Sequence, residues 1–170
     1  NLPIGAGQDP TTMIGPVVNK KQRERIENYI KIGQEEGAER ISPEGDVPGQ
    51  GYFVKPTILS GASADSRVFN EEIFGPVLTA TKFSTEEEAV KLANQSQYGL
   101  GANLYCKNVK TAHKMAAAIH AGTVWINTYF VVDAAMPFGG FKESGIGREV
   151  GEDGVLMFTE SKSVCALLDD

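Results

Sequence analysis

Two cysteines in 170 residues leave no disulfide framework to read, and such thiols fit a reducing, cytoplasmic compartment. Basic residues are in deficit, 16 Lys and Arg against 22 Asp and Glu, for a net charge of −6. That deficit argues against the Lys/Arg-rich face of a nucleic-acid or anionic-membrane partner. No apolar run approaches the length of a membrane span. Histidine is scarce too. His113 and His120 fall on roughly one face of an expected helix, and without a third ligand they make a poor metal site, so no metal is expected. An initiating Met is missing, and the opening Asn1-Leu2-Pro3-Ile4-Gly5 has neither a basic leader nor an apolar core. The expectation is a stretch that begins inside a longer gene product or after processing, with no signal peptide at this start.

What is present is ordinary for a globular chain: 41% hydrophobic and 22% charged residues, enough for one domain with its own core. Residues 19–36 have a helical pattern, with Ile26, Tyr29 and Ile30 at i, i+3 and i+4 and Gly37 as the stop. Ala38–Ile41 suits a short strand. Tyr52–Val54 and Thr57–Leu59 suit extended chain, with Pro56 implying an edge or a bend. Strand Val77–Phe83 then leads through Ser84-Thr85 into a helix with three Glu residues in its first turn, which Gly99 ends. Leu100–Tyr105 is a strand, Asn108 caps a second helix, Gly122 ends it, and Thr123–Asn127 is a third strand. This β-α-β-α-β alternation predicts an α/β fold whose strands run parallel.

Ligands in open α/β sheets bind beyond the carboxyl ends of strands. The loop at 128–138 lies there and is unusually apolar, with Tyr129, Phe130, Val131 and Val132. Such a loop needs a pocket or partner, unless it folds back on the core. Gly145-Ile146-Gly147 invites a dinucleotide-fingerprint reading, but Val150 stands where the third glycine belongs and no strand directly precedes. A turn followed by a helix from about Gly147 suits it better. Residues 161–170 read as a terminal apolar strand, which needs a neighbour in its own sheet or in another chain.

The most informative stretch is Asn70-Glu71-Glu72-Ile73-Phe74-Gly75-Pro76-Val77. Gly-Pro cannot continue a helix, so a carboxylate and a ring are fixed at a corner before a strand. A carboxylate accepts two hydroxyl hydrogen bonds, as from a ribose diol, and an aromatic face suits a flat ring or sugar face. A turn with Phe74 simply buried is the plainer alternative.

Glu71-Glu72-Ile73-Phe74-Gly75-Pro76-Val77 resembles a signature of NAD(P)-dependent aldehyde dehydrogenases. Ala121-Gly122-Thr123-Val124-Trp125-Ile126-Asn127 resembles that family's late strand. Pro137-Phe138-Gly139-Gly140-Phe141-Lys142-Glu143-Ser144-Gly145-Ile146-Gly147-Arg148-Glu149 resembles its segment after the substrate loop. The three stand in the family's order. The resemblance implies a three-layer αβα catalytic domain with a mostly parallel open sheet, here residues 1–160, lacking the N-terminal cofactor domain. Residues 161–170 would be the oligomer-forming strand. It implies that Glu72 binds the nicotinamide ribose and Phe74 packs on the same end. Gln22 and Arg25 would reach the cofactor, NAD or NADP, from the first helix. Arg25 departs from the lysine often found there, so its geometry differs. Phe138, Val132 and Phe130 would belong to the pocket for an aldehyde, where the small Val132 leaves room for a bulkier substrate. The family's nucleophilic Cys, base and oxyanion donor lie upstream of the resembling region. Cys106 and Cys165 therefore read as structural thiols, no catalytic residue is assigned, and the chain alone is expected to be inactive. A homo-oligomeric parent is implied. A module of the same fold that only folds and oligomerises is the alternative; it would bury Phe74 and Phe138.

Overall fold

A computed structural model of the chain describes residues 2–168. It divides into two compact units, Asn1–Ser84 and Thr85–Asp170.

In the first unit, α1 spans Lys20–Glu35. The Asn19 side chain caps it by accepting from the Gln22 amide at 2.8 Å. Gly37, at φ 95°, takes the left-handed turn that stops it. Ile26, Tyr29, Ile30 and Gly33 form the buried stripe at helical spacing. β1 (Glu39–Ile41) pairs antiparallel with β2 (Thr57–Ser60). After the short α2 (Arg67–Asn70) comes β3 (Val77–Ala80), parallel to β2. Leu59, fully buried, joins the α1 stripe, Val54, Val68 and Ile73 in one core. Pro56 does not put its strand at an edge. It lies one residue before β2, where its missing N–H breaks no ladder, and β2 is central in the order β1-β2-β3. Phe53 and Val54 are buried without belonging to a strand.

In the second unit, α3 (Glu86–Gln95) is capped by Thr85, which accepts from the Glu88 amide at 3.1 Å. Glu86, Glu87 and Glu88 occupy its first turn, where the helix dipole favours them. β4 (Tyr98–Gly99) and β5 (Gly101–Leu104) follow, then α4 (Val109–Ala118), whose cap Asn108 accepts from the Thr111 amide at 3.1 Å. β6 (Thr123–Ile126) runs parallel to β5, so the expected β-α-β crossover through α4 is present. β7 (Phe141–Lys142) pairs antiparallel with β4, and α5 (Gly151–Leu156) closes the unit.

The α/β class stands, with mixed and parallel sheets. Three local expectations are corrected. The strand from Val77 ends at Ala80. Gly99 does not end α3, which stops at Gln95; the residue serves β4, opposite Phe141. The last helix starts at Gly151 rather than about Gly147, because Gly145 and Gly147 turn at positive φ and Glu149 is bridged to Phe138. Residues 161–168 are exposed and form no ladder among the described residues. No helix among them is long and apolar enough to cross a membrane.

Candidate functional site

The corner at residues 71–75 is held by its backbone from α1. Gln22 Nε2 donates to the Phe74 carbonyl at 2.8 Å and the Ile73 carbonyl at 3.3 Å. Arg25 Nη2 donates to the Glu72 carbonyl at 2.9 Å. Sequence spacing puts Gln22 and Arg25 on one side of the helix beside the apolar stripe. The structure thus brings together all four residues of the cofactor expectation: Gln22, Arg25, Glu72 and Phe74. Ile73 points inward and is buried, while Phe74 is 68% exposed. The plainer alternative, a turn with Phe74 buried, is overturned. Phe74 also sits at φ 58°, a left-handed backbone that a bulky residue adopts only under constraint.

The two neighbouring acids have opposite surroundings. Glu71 accepts from Arg67 Nε at 2.8 Å and Nη2 at 2.9 Å, and from the Tyr29 hydroxyl at 2.6 Å. Arg67 and then Tyr29 hold its carboxyl down at about 2, against an ordinary 4.5. Glu72 is exposed, and its carboxylate has no hydrogen bond or ion pair among the described residues. Sequence reasoning missed Arg67, Tyr29 and Glu71. The signal was the i, i+4 spacing of Arg67 and Glu71, which gives one acid of the pair its own cation.

A depressed carboxyl stabilises the fold above its unfolded value and loses that contribution as pH falls through its folded value. We therefore expect stability of the first unit to fall between pH 4.5 and about 2, modestly, because the pair is solvent-screened. Urea midpoints across this range should decline less steeply in Glu71→Gln than in the parent chain.

The cavity that Phe138 lines holds neither of the other two expected substrate residues. Phe138 is half-buried and lines a cavity of about 590 Å³ with Leu100, Ile146, Arg148, Met157 and Phe158. Its amide and carbonyl pair with those of Glu149, each at 2.8 Å, closing the glycine-rich turn between them. Phe130 and Val132 do not line that cavity. Phe130, at φ 51°, lies with its ring 5.9 Å from that of Trp125. Val132 is 53% exposed. The loop is tied at its base by Trp125 Nε1, which donates to the Val131 carbonyl at 2.7 Å. Trp125 went unnoticed as a loop anchor because that bond depends on the loop's return path.

Cys106 is held by its backbone. Asn127 Oδ1 accepts from its amide and Asn127 Nδ2 donates to its carbonyl, both at 2.8 Å, so a side chain extends the β5–β6 ladder. Cys165 is exposed. Among the described residues no group of three or more His, Cys, Asp or Glu could hold a metal ion.

The sequence profile of the aldehyde dehydrogenase family matches residues 1–164. The chain belongs to the aldehyde dehydrogenase family. It is 48% identical over 171 aligned positions to a putative aldehyde dehydrogenase, DhaS, of Bacillus subtilis, covering 100% of this chain and 34% of that protein. Its fold superposes on an aldehyde dehydrogenase from Bacillus cereus in complex with NAD+ with a TM-score of 0.90 at 47% identity, covering 96% of this chain and 33% of that one. A crystal structure of a betaine aldehyde dehydrogenase point mutant from Staphylococcus aureus, also with NAD+, gives 0.89 at 39% identity, covering 95% and 34%. The chain thus spans about a third of the length of the relatives it matches, and its fold is of the aldehyde dehydrogenase catalytic-domain type.

Proposed function

We propose that this chain supplies part of the cofactor and substrate pocket of an NAD(P)-dependent aldehyde dehydrogenase, which oxidises an aldehyde to a carboxylic acid through a cysteine thioester. The observation that carries the reading is the pairing of an unpartnered Glu72 carboxylate with an exposed Phe74 ring on one braced corner. That donor set fits a nicotinamide ribose: the carboxylate accepts from two vicinal hydroxyls, and the ring offers an apolar face. Bound NAD or NADP would supply the hydride acceptor. Gln22 and Arg25 serve by holding the corner's carbonyls, and Arg25 retains further N–H donors for the cofactor. Phe138, from its cavity, and Phe130 and Val132, from the exposed loop, would each contribute to the aldehyde pocket. The nucleophilic thiol, the base and the oxyanion donor belong to residues outside this chain.

The bare face of the first sheet supports a longer polypeptide. Ile41, Ile58 and Leu78 stand in register across β1, β2 and β3 and are 48%, 39% and 60% exposed. They border a cavity of about 640 Å³ with Pro43, Pro56 and Val77. An apolar row on a sheet face normally packs against another layer, and α1 covers only the Leu59 side here. In the assembled enzyme, residues 161–168, with Val164, Leu167 and Leu168 exposed, would pair with a second subunit.

The direct test is turnover by the purified 170-residue chain. With aldehyde and NAD we expect no NADH formation above a thiol blank. Steady production abolished by Cys106→Ala or Cys165→Ala would overturn the division of labour. The alternative of a purely folding and oligomerising module requires a buried Phe74, and its 68% exposure weighs against that.

A further inference from the structure

Glu71 and Glu72 are adjacent, yet one carboxylate is fully engaged and the other has no partner among the described residues. The backbone explains the division. Glu71 has φ −107° and ψ 146°, which is extended, and successive side chains on extended chain point to opposite sides. Whatever fixes Glu71 on one side therefore fixes Glu72 on the other.

We propose that Tyr29 is a positioning residue for the cofactor-binding carboxylate: in contact with two guanidinium groups, it ties Glu71 to α1 and so sets where Glu72 stands. The inference rests on the proposed role of Glu72. The Tyr29 ring is 8% exposed. The guanidinium carbons of Arg25 and Arg67 each lie 5.4 Å from its centroid, within cation–π range. Its hydroxyl donates to Glu71 Oε2 at 2.6 Å, a short bond of the charge-assisted kind. Arg67 fills the rest of that carboxylate with two bonds. Arg25 leaves the ring to donate to the Glu72 carbonyl. The links form a closed ring: α1 reaches Glu72 through Arg25 and Glu71 through Tyr29, and Arg67 joins Glu71 to the Tyr29 face. Gln22 braces the following two carbonyls separately. Tyr29 is the only member that touches all three charged partners at once.

The clean variant is Tyr29→Phe, which keeps the ring and both cation contacts and deletes one hydroxyl. The assay uses the complete dehydrogenase that contains this chain. We expect KM for NAD to rise about fivefold, with kcat and the aldehyde KM within about twofold, as loss of one hydrogen bond to a charged group allows. Glu72→Gln in the same background should raise KM for NAD at least about tenfold. If Glu72→Gln raises it and Tyr29→Phe does not, positioning by Tyr29 is wrong. If Glu72→Gln itself has no effect, the ribose reading beneath it fails. A structural role alone is excluded by a second measurement on the 170-residue chain. Amide exchange at residues 71–74 should quicken in Tyr29→Phe while the rest of α1 exchanges as before. Uniformly faster exchange across the first unit would overturn the proposal.

Discussion

Gly122→Ala is expected to unfold the second unit at a much lower urea concentration, with a loss of about 3 kcal/mol. Gly122 lies where three backbone segments converge. Its amide donates to the Gly99 carbonyl at 3.0 Å, which joins the turn before β6 to β4. A Cβ placed there would overlap the Gly139 carbonyl oxygen and lie 2.8 Å from the Gly139 carbonyl carbon and 3.5 Å from Gly140 Cα. None of these atoms belongs to a side chain that could rotate away. Relief requires moving the segment after Phe138, and with it the bridge from Phe138 to Glu149 and the β4–β7 pairing. A domain has only about 5–15 kcal/mol in total, so the loss would be large. The measurement is convenient, since the single tryptophan, Trp125, is buried in this unit and its fluorescence reports on it directly. An unchanged midpoint for Gly122→Ala would mean that these segments are less closely packed than described.

Elements whose cause is local were legible in the sequence. The start of α1 near residue 19, the cap of α4 at Asn108, the acid run at the start of α3 and the stop at Gly37 follow from residues within one turn. The parallel β5–β6 pair follows from alternation and short connections. Features that depend on returning chain were not legible. β4 exists only because Phe141–Lys142 come back to pair with it, and nothing near Tyr98 announces that. Pro56 suggested an edge because its position relative to the ladder, one residue outside, cannot be read from composition. At the candidate site, the motif put Glu72 and Phe74 on a rigid corner, and Gln22 and Arg25 came from the family resemblance. What it hid was the mechanism of rigidity. Gln22 and Arg25 reach the corner through its carbonyls, which every residue type possesses, so no side-chain pattern marks them. The different surroundings of Glu71 and Glu72 arise from Arg67, four residues before Glu71, and from Tyr29, which lies far off in sequence and meets Glu71 only in the fold.

Gly75→Ala should couple the core to the site. The family motif contains this glycine, and the structure gives it a steric reason. A Cβ at Gly75 would sit 2.5 Å from Ile26 Cδ1, 2.7 Å from Cγ1 and 2.9 Å from Cγ2. Ile26 has no exposed surface, so it can yield only by disturbing the packing of Tyr29, Ile30 and Leu59. The alternative is for the corner to move off α1. Hydrogen bonds weaken steeply with such displacement, and the two shortest that hold the corner, from Gln22 at 2.8 Å and Arg25 at 2.9 Å, are at risk. We expect a stability loss of about 2 kcal/mol in the chain and, in the complete dehydrogenase, a rise in KM for NAD of roughly tenfold or more. The two effects have one cause, and a second substitution can show it. Ile26→Val removes Cδ1, the atom nearest the new carbon, and by itself should cost about 1 kcal/mol. In the Gly75→Ala background it should instead recover about 1 kcal/mol, so that the double variant is better than the sum of the singles by about 2 kcal/mol. KM for NAD should recover in parallel, since the corner can then settle back against α1. Strict additivity, or recovered stability without recovered KM, would show that the close approach of Gly75 to Ile26 is not what holds Glu72 and Phe74 in place.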